Sequence, residues 1–140
     1  MIKLTPIEPN FVNLSSSAPR CCLEVVSVKV AVVGSRSLAH LQVDFILPYI
    51  PEDATEIVSG GARGVDSLGE LAAKELGLKF TCFLPDYHNF GKIAPLIRNE
   101  KIVDYADYVL AFWDTKSRGT RNTILHCIKK QKPFRVIPIC

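Results

Sequence analysis

No stretch of this chain suits a bilayer: its apolar segments, such as Val30–Val33 and Val109–Trp113, fall far short of the ~20 residues a membrane helix needs. A secretory leader is not expected either, because Pro6, Glu8 and Pro9 interrupt the start before an apolar region develops. Charge of one sign is scarce. Seventeen basic against fourteen acidic side chains leave +3, well below the footprint of a dedicated duplex-DNA binder. The five cysteines are odd in number, and apart from neighbouring Cys21 and Cys22 they lie far apart, with no CxxC and no Cys/His spacing suited to a metal. Free thiols in a reducing, cytoplasmic compartment are expected, with no metal and no cofactor. Repeats and low-complexity tracts are missing too, which excludes solenoids and collagen-like or linker arrays.

What remains is a globular composition. Forty-eight per cent hydrophobic residues in 140 are enough for one core and too few for two. Residues 1–26 hold Pro6, Pro9, Pro19 and Ser15–Ser17 without sustained periodicity, so they read as an arm or linker; residues 27–140 read as the domain.

Val28–Val33 is β-branched and nearly all apolar, the pattern of a strand buried on both faces. A strand-then-helix rhythm follows. Leu38, Leu41, Phe45 and Ile46 predict a helix over 38–49, ended by Pro48 and Pro51, before a strand at Glu56–Ser59. Val65, Leu68, Ala72 and Leu76 form an amphipathic stripe that Gly77 stops. A strand over 79–84, a long loop over 85–94, and a helix opening with Pro95 and carrying Leu96, Ile97, Ile102 and Val103 come next. Tyr108–Trp113 reads as a buried strand, Ile124, Leu125 and Ile128 as a helix, and Phe134–Pro138 as an edge strand, since Pro138 lacks a ladder donor. Five strands with intervening helices predict an α/β, Rossmann-like three-layer sandwich with a mainly parallel sheet in the order 3-2-1-4-5. In such sheets ligands bind beyond the carboxyl ends of strands, where the winding reverses.

Three loops meet there. Gly34-Ser35-Arg36 follows the first strand and brings a cation that suits a phosphate. Gly60-Gly61-Ala62-Arg63-Gly64-Val65-Asp66 joins glycines, which allow close backbone approach, to a helix start whose N–H groups and dipole favour an anion. It matches neither GxGxxG nor a Walker A loop, and a plain strand-to-helix turn is the alternative. Asp114 to Thr120 repeats that logic, with Ser117, Arg118, Gly119 and a capping hydroxyl on Thr120. Trp113 is either core or a platform for a base. His88, in the long loop, is a weaker pocket candidate, and His40 and His126 sit in helical patterns without a metal partner.

Val33-Gly34-Ser35-Arg36, Ser59 to Asp66, Gly91-Lys92 with Arg98-Asn99, and Arg118-Gly119-Thr120, in this order, resemble the SLOG superfamily over about 28–137, with the YspA/YpsA-related branch nearest. The resemblance implies a Rossmann-like domain that senses or processes a nucleotide or nucleotide-derived phosphate, and it adds Arg98 and Asn99 to the site. Relatives in that superfamily include DprA, which binds single-stranded DNA, and the Lonely guy enzymes, which hydrolyse the N-glycosidic bond of cytokinin nucleotides. Against the Lonely guy signature, Lys116 to Thr120 matches only the second half, and Thr123 stands where the glutamate would be. Such a hydrolase needs a carboxylate, so the expected partner is a small nucleotide-type molecule that is bound; a phosphoribohydrolase-like activity with Asp66, Glu100 or Asp114 as carboxylate, or nucleic-acid binding, are the rival readings. No membrane partner is expected, and a homo-oligomer is left open.

Overall fold

The computed structural model describes residues 26–139. The arm expected over 1–26 therefore lies outside the described residues except for Val26, as do Cys21, Cys22 and Cys140. Strands Lys29–Gly34 (β1), Glu56–Ser59 (β2), Lys79–Cys82 (β3), Tyr108–Trp113 (β4) and Phe134–Pro138 (β5) form one sheet in the order β3-β2-β1-β4-β5. Every pairing is parallel. This is the expected 3-2-1-4-5 winding, with β1 central and β5 at an edge.

Alternation along β1 separates two cores. Val30 and Val32 join Ile57, Leu110 and Phe112 on one face, covered by Ile46 of α1 (Val43–Ile46) and by Val65, Leu68 and Ala72 of α2 (Val65–Leu76). Ala31 and Val33 join Val58, Val109 and Ala111 on the other, beneath α4 (Ala94–Tyr105) and α5 (Arg118–Lys130). Helices on both faces exclude water from the sheet, which is why Val30–Val33 of β1 and Val109–Phe112 of β4 are apolar at every position. No helix among the described residues is long and apolar enough to cross a membrane.

Four local expectations change. The single helix expected over 38–49 is broken into a 3-10 turn, Arg36–Leu38, the one-turn α1 and a second 3-10 turn, Leu47–Tyr49. Pro48 sits within that last turn, where it removes a backbone donor that a continuing α-helix would use. The third strand is shorter than expected, ending at Cys82, and the loop after it contains α3 (Tyr87–Phe90) and a 3-10 turn, Gly91–Ile93. In α4 the buried face is Ala94, Arg98, Ile102 and Val103, while Leu96 is exposed. In α5 it is Thr120, Thr123 and Cys127, with Leu125 and Ile128 in solvent. Both helices lie on a sheet face rich in alanine, and small or slim residues allow that close approach.

At the far end of the sheet, buried Glu56 accepts hydrogen bonds from Thr81 Oγ1 at 2.6 Å and from the Tyr105 hydroxyl at 2.8 Å. The last residue of α4 is thereby tied to β2 and β3, which fixes the helix whose first half carries Arg98.

Candidate functional site

The chain leaves β1 in one direction to form β2 and β3 and returns on the other side as β4 and β5, so the loops after β1 and β4 diverge. A cavity of about 390 Å³ lies in that crevice. Ser35 joins the loops around it. Its N–H donates to the Phe112 carbonyl at 3.1 Å, its Oγ accepts from the Asp114 N–H at 3.1 Å, and Thr120 Oγ1 lies 3.5 Å away. Ser35 is itself buried and does not line the cavity; it holds residues that do.

The β2–α2 loop turns on Gly64, whose φ of 80° is in the region that favours glycine and whose added Cβ would stand 2.9 Å from the Ser35 carbonyl. Gly61 also needs positive φ, 72°, and its Cβ would meet Cys82 Sγ at 2.9 Å. Space at Gly61 is therefore limited by β3 and Leu84, in addition to any ligand.

Asp66, 5% exposed, forms the floor. Its Oδ1 accepts from the Gly34 N–H at 3.3 Å. Burial pushes its carboxyl up to about 6, while the charge of Arg98 and the amides of Ala62, Gly34 and Gly60 pull it partly back. Asp114 behaves oppositely. The Ser37 hydroxyl, donating at 2.5 Å, and the amides of Ser117 and Lys116, at 2.7 and 2.8 Å, hold its carboxyl well below the usual range.

Arg98 is 6% exposed and lines the same cavity. Its Nη1 donates to the Gly60 carbonyl and, at 3.4 Å, to that of Phe83; its Nε donates to Asn99 Oδ1 at 2.9 Å. Among the described residues Nη2 has no hydrogen-bond acceptor, and no carboxylate lies within 4.0 Å of the guanidinium. Across the cavity, α5 is capped by Ser117, whose Oγ accepts from the Thr120 N–H at 3.4 Å. The expected cap at Thr120 thus moves three residues earlier, because the Asp114 carboxylate bends the chain and draws in the Ser117 amide. The N–H groups of Arg118 and Gly119 find no acceptor among the described residues, as the first turn of a helix leaves them.

Arg36, Asn99, Asp114, Ser117, Gly119 and Thr120 line the cavity with Gly34, Ala62, Asp66 and Arg98. Gly60, Gly61 and Arg63 lie on an adjoining cavity. Trp113 lines neither cavity; its Nε1–H donates to the Ser117 carbonyl at 3.0 Å, which supports the helix start. Arg118 is exposed and lines neither, and the same holds for His88. Sequence reasoning missed Ser37, one residue beyond Arg36, and Pro95, which stands one helical turn before Arg98 and Asn99. Thr123, at the position where the Lonely guy signature has glutamate, is on the lining, and its hydroxyl donates to the Gly119 carbonyl at 3.0 Å.

No protein-family model matches the chain, and no curated protein matches it. Among solved structures, DNA processing protein A (DprA) from Streptococcus pneumoniae superposes over 83% of this chain with a TM-score of 0.65 and 21% identity. DNA processing protein A from Helicobacter pylori, described for its single-stranded DNA binding mode, superposes over 81% with a TM-score of 0.54 and 24% identity. This chain spans 52% and 66% of those two chains. The likeness is one of fold: a Rossmann-like α/β sandwich.

Proposed function

We propose that this chain binds the phosphate group of a nucleotide in the cavity beyond β1, β2 and β4. The observation that carries the reading is Arg98, a buried guanidinium whose Nη2 has no acceptor among the described residues, lining a cavity opposite Gly119, whose N–H likewise has none among them. Buried donors without partners are costly, and a phosphate offers charged acceptors in number. Arg36 adds a second cation at the mouth. Asp114, with its Oδ atoms occupied by Ser37 and two amides, serves to shape the loop.

Thermal unfolding measured with AMP, ADP, cyclic AMP and inorganic phosphate tests this reading. A ligand at 100 times its Kd is expected to stabilise the fold by about 2.7 kcal/mol. Absence of any shift, with no binding heat by calorimetry, counts against it.

A second reading is single-stranded nucleic acid. It is supported by the fold shared with the two DprA structures, one of them described for such binding, and by a second cavity that continues the first. Oligothymidylates of increasing length separate the two readings. Affinity that rises with length and falls steeply with salt favours a strand; affinity that is flat beyond one unit favours the mononucleotide. Base release is not expected from Thr123, whose hydroxyl is committed to Gly119 and is un-ionised at neutral pH.

The pH dependence follows from Asp66. Above about 6 its ionised carboxylate places negative charge on the cavity floor; below, protonation removes it. A phosphodiester keeps its single charge across this range, so its binding is expected to tighten as pH falls from 7.5 to 5. The gain over this range is about sevenfold if the bound anion raises the Asp66 pKa by one unit. Calorimetry with cyclic AMP, repeated on Asp66→Asn, measures it. The variant should lose the pH dependence, and an unchanged profile would rule out Asp66 as its source.

A further inference from the structure

The cavity assigned to the phosphate opens into a larger one of about 700 Å³ that the phosphate does not fill. Arg36, Ala62 and Arg98 line both. Beyond them, the second cavity is lined by the Gly60–Arg63 backbone turn and by Leu84, Pro85 and Tyr87, with Leu84 against Gly61. Leu84 is 72% exposed and Tyr87 57%, large apolar surfaces left in water beside a cationic rim. The Tyr87 ring pairs with no other aromatic ring and no cation among the described residues.

The backbone that carries the ring is nonetheless set. Tyr87 is the first residue of α3, and Asp86 before it accepts from the Asn89 N–H at 3.1 Å and from Asn89 Nδ2 at 2.6 Å. The Phe90 N–H donates to the Asp86 carbonyl at 3.0 Å and completes the turn. A side chain whose backbone is set before the ligand arrives loses less entropy on binding.

The geometry points to Tyr87 as the stacking face for the nucleobase of the ligand whose phosphate occupies the first cavity, with Leu84 and Pro85 completing the apolar wall and Arg36 and Arg98 between base and phosphate. The assignment rests on the nucleotide reading above and deepens it. Stacking on a tyrosine against leucine and proline uses the π-face that every base has, and it leaves the hydrogen-bonding edges unread. The site is thereby selective for nucleotides over sugar phosphates and tolerant of base identity.

Calorimetric titration of wild type, Tyr87→Ala and Tyr87→Phe with the four ribonucleoside 5′-monophosphates and with ribose 5-phosphate tests this. Wild type is expected to bind the nucleotides about tenfold or more tighter than ribose 5-phosphate, the gain one stacked base provides. Tyr87→Ala should bring the nucleotides down to the level of ribose 5-phosphate and leave ribose 5-phosphate itself unchanged, while Tyr87→Phe keeps the preference. Equal binding of nucleotide and ribose 5-phosphate by wild type, or a Tyr87→Ala variant that weakens neither or weakens both alike, overturns the stacking role while leaving the phosphate site standing. Failure of wild type to bind any of these ligands removes the nucleotide reading, and the stacking role falls with it.

Discussion

Arg98→Ala is expected to weaken nucleotide binding by about 1.5–3 kcal/mol, the range for hydrogen bonds to charged groups, or roughly 10- to 150-fold in Kd. The side chain does two jobs at once. Nη1 and Nε tie the β2 loop, the residue after β3 and Asn99 together, while Nη2 has no acceptor among the described residues. The alanine variant therefore also leaves the Gly60 carbonyl short of a donor and takes from Asp66 the cation that restrains its pKa. Folding must be checked by circular dichroism before affinity is compared. Arg98→Lys separates the roles: it retains charge without the planar fork, so binding intermediate between wild type and alanine is expected. Wild-type affinity in a folded alanine variant would show that the anion is held elsewhere.

Gly34→Ala is expected to lower stability by about 1–3 kcal/mol, a change on the order of 10 °C in Tm. The added methyl would stand 2.6 Å from Val65 Cβ and 2.7 Å from the Phe112 carbonyl oxygen. Neither neighbour yields easily. Val65 is fully buried, and that carbonyl accepts from the Ser35 N–H in the sheet's own extension. Gly119→Ala is the matched comparison on the same cavity. There the new methyl finds no atom nearer than Asn99 Nδ2 at 4.0 Å, and an alanine in the first turn of α5 should leave stability level or raise it by a few tenths of a kcal/mol. Thermal melts of both variants give the answer, and equal Tm values would mean that β1 and α2 can separate at this point without cost.

Which parts of this molecule could be read from its sequence depends on how local their causes are. β1 and β4 declare themselves because a strand covered on both faces must be apolar at consecutive positions, and α2 because Val65, Leu68 and Ala72 share a face that Gly77 ends with φ of 67°. The winding order followed from strand count and the rules of crossover connection. Leu96, Leu125 and Ile128 misled the reading because periodicity finds large apolar side chains, whereas α4 and α5 approach an alanine-rich sheet through Ala94, Thr123 and Cys127. The glycine loops were visible as motifs. The cluster of Leu84, Pro85 and Tyr87 was not, since it meets Gly60–Arg63 only because β3 lies beside β2.

The central position of β1 bears on how the chain is made. Its β2 neighbour lies close behind in sequence, but the strand on its other side, β4, begins 78 residues after its partner: Val30 pairs with Tyr108. During synthesis from the N-terminus, β1, β2 and β3 emerge with one flank of β1 open, a run of valines and alanine whose N–H and C=O groups have no ladder partner until Tyr108–Trp113 arrives. Such a flank can recruit any passing strand. The same closure brings the Asp114 loop and the start of α5 to Ser35, so the cavity beyond β1 is incomplete until residues 114–120 have folded against that strand.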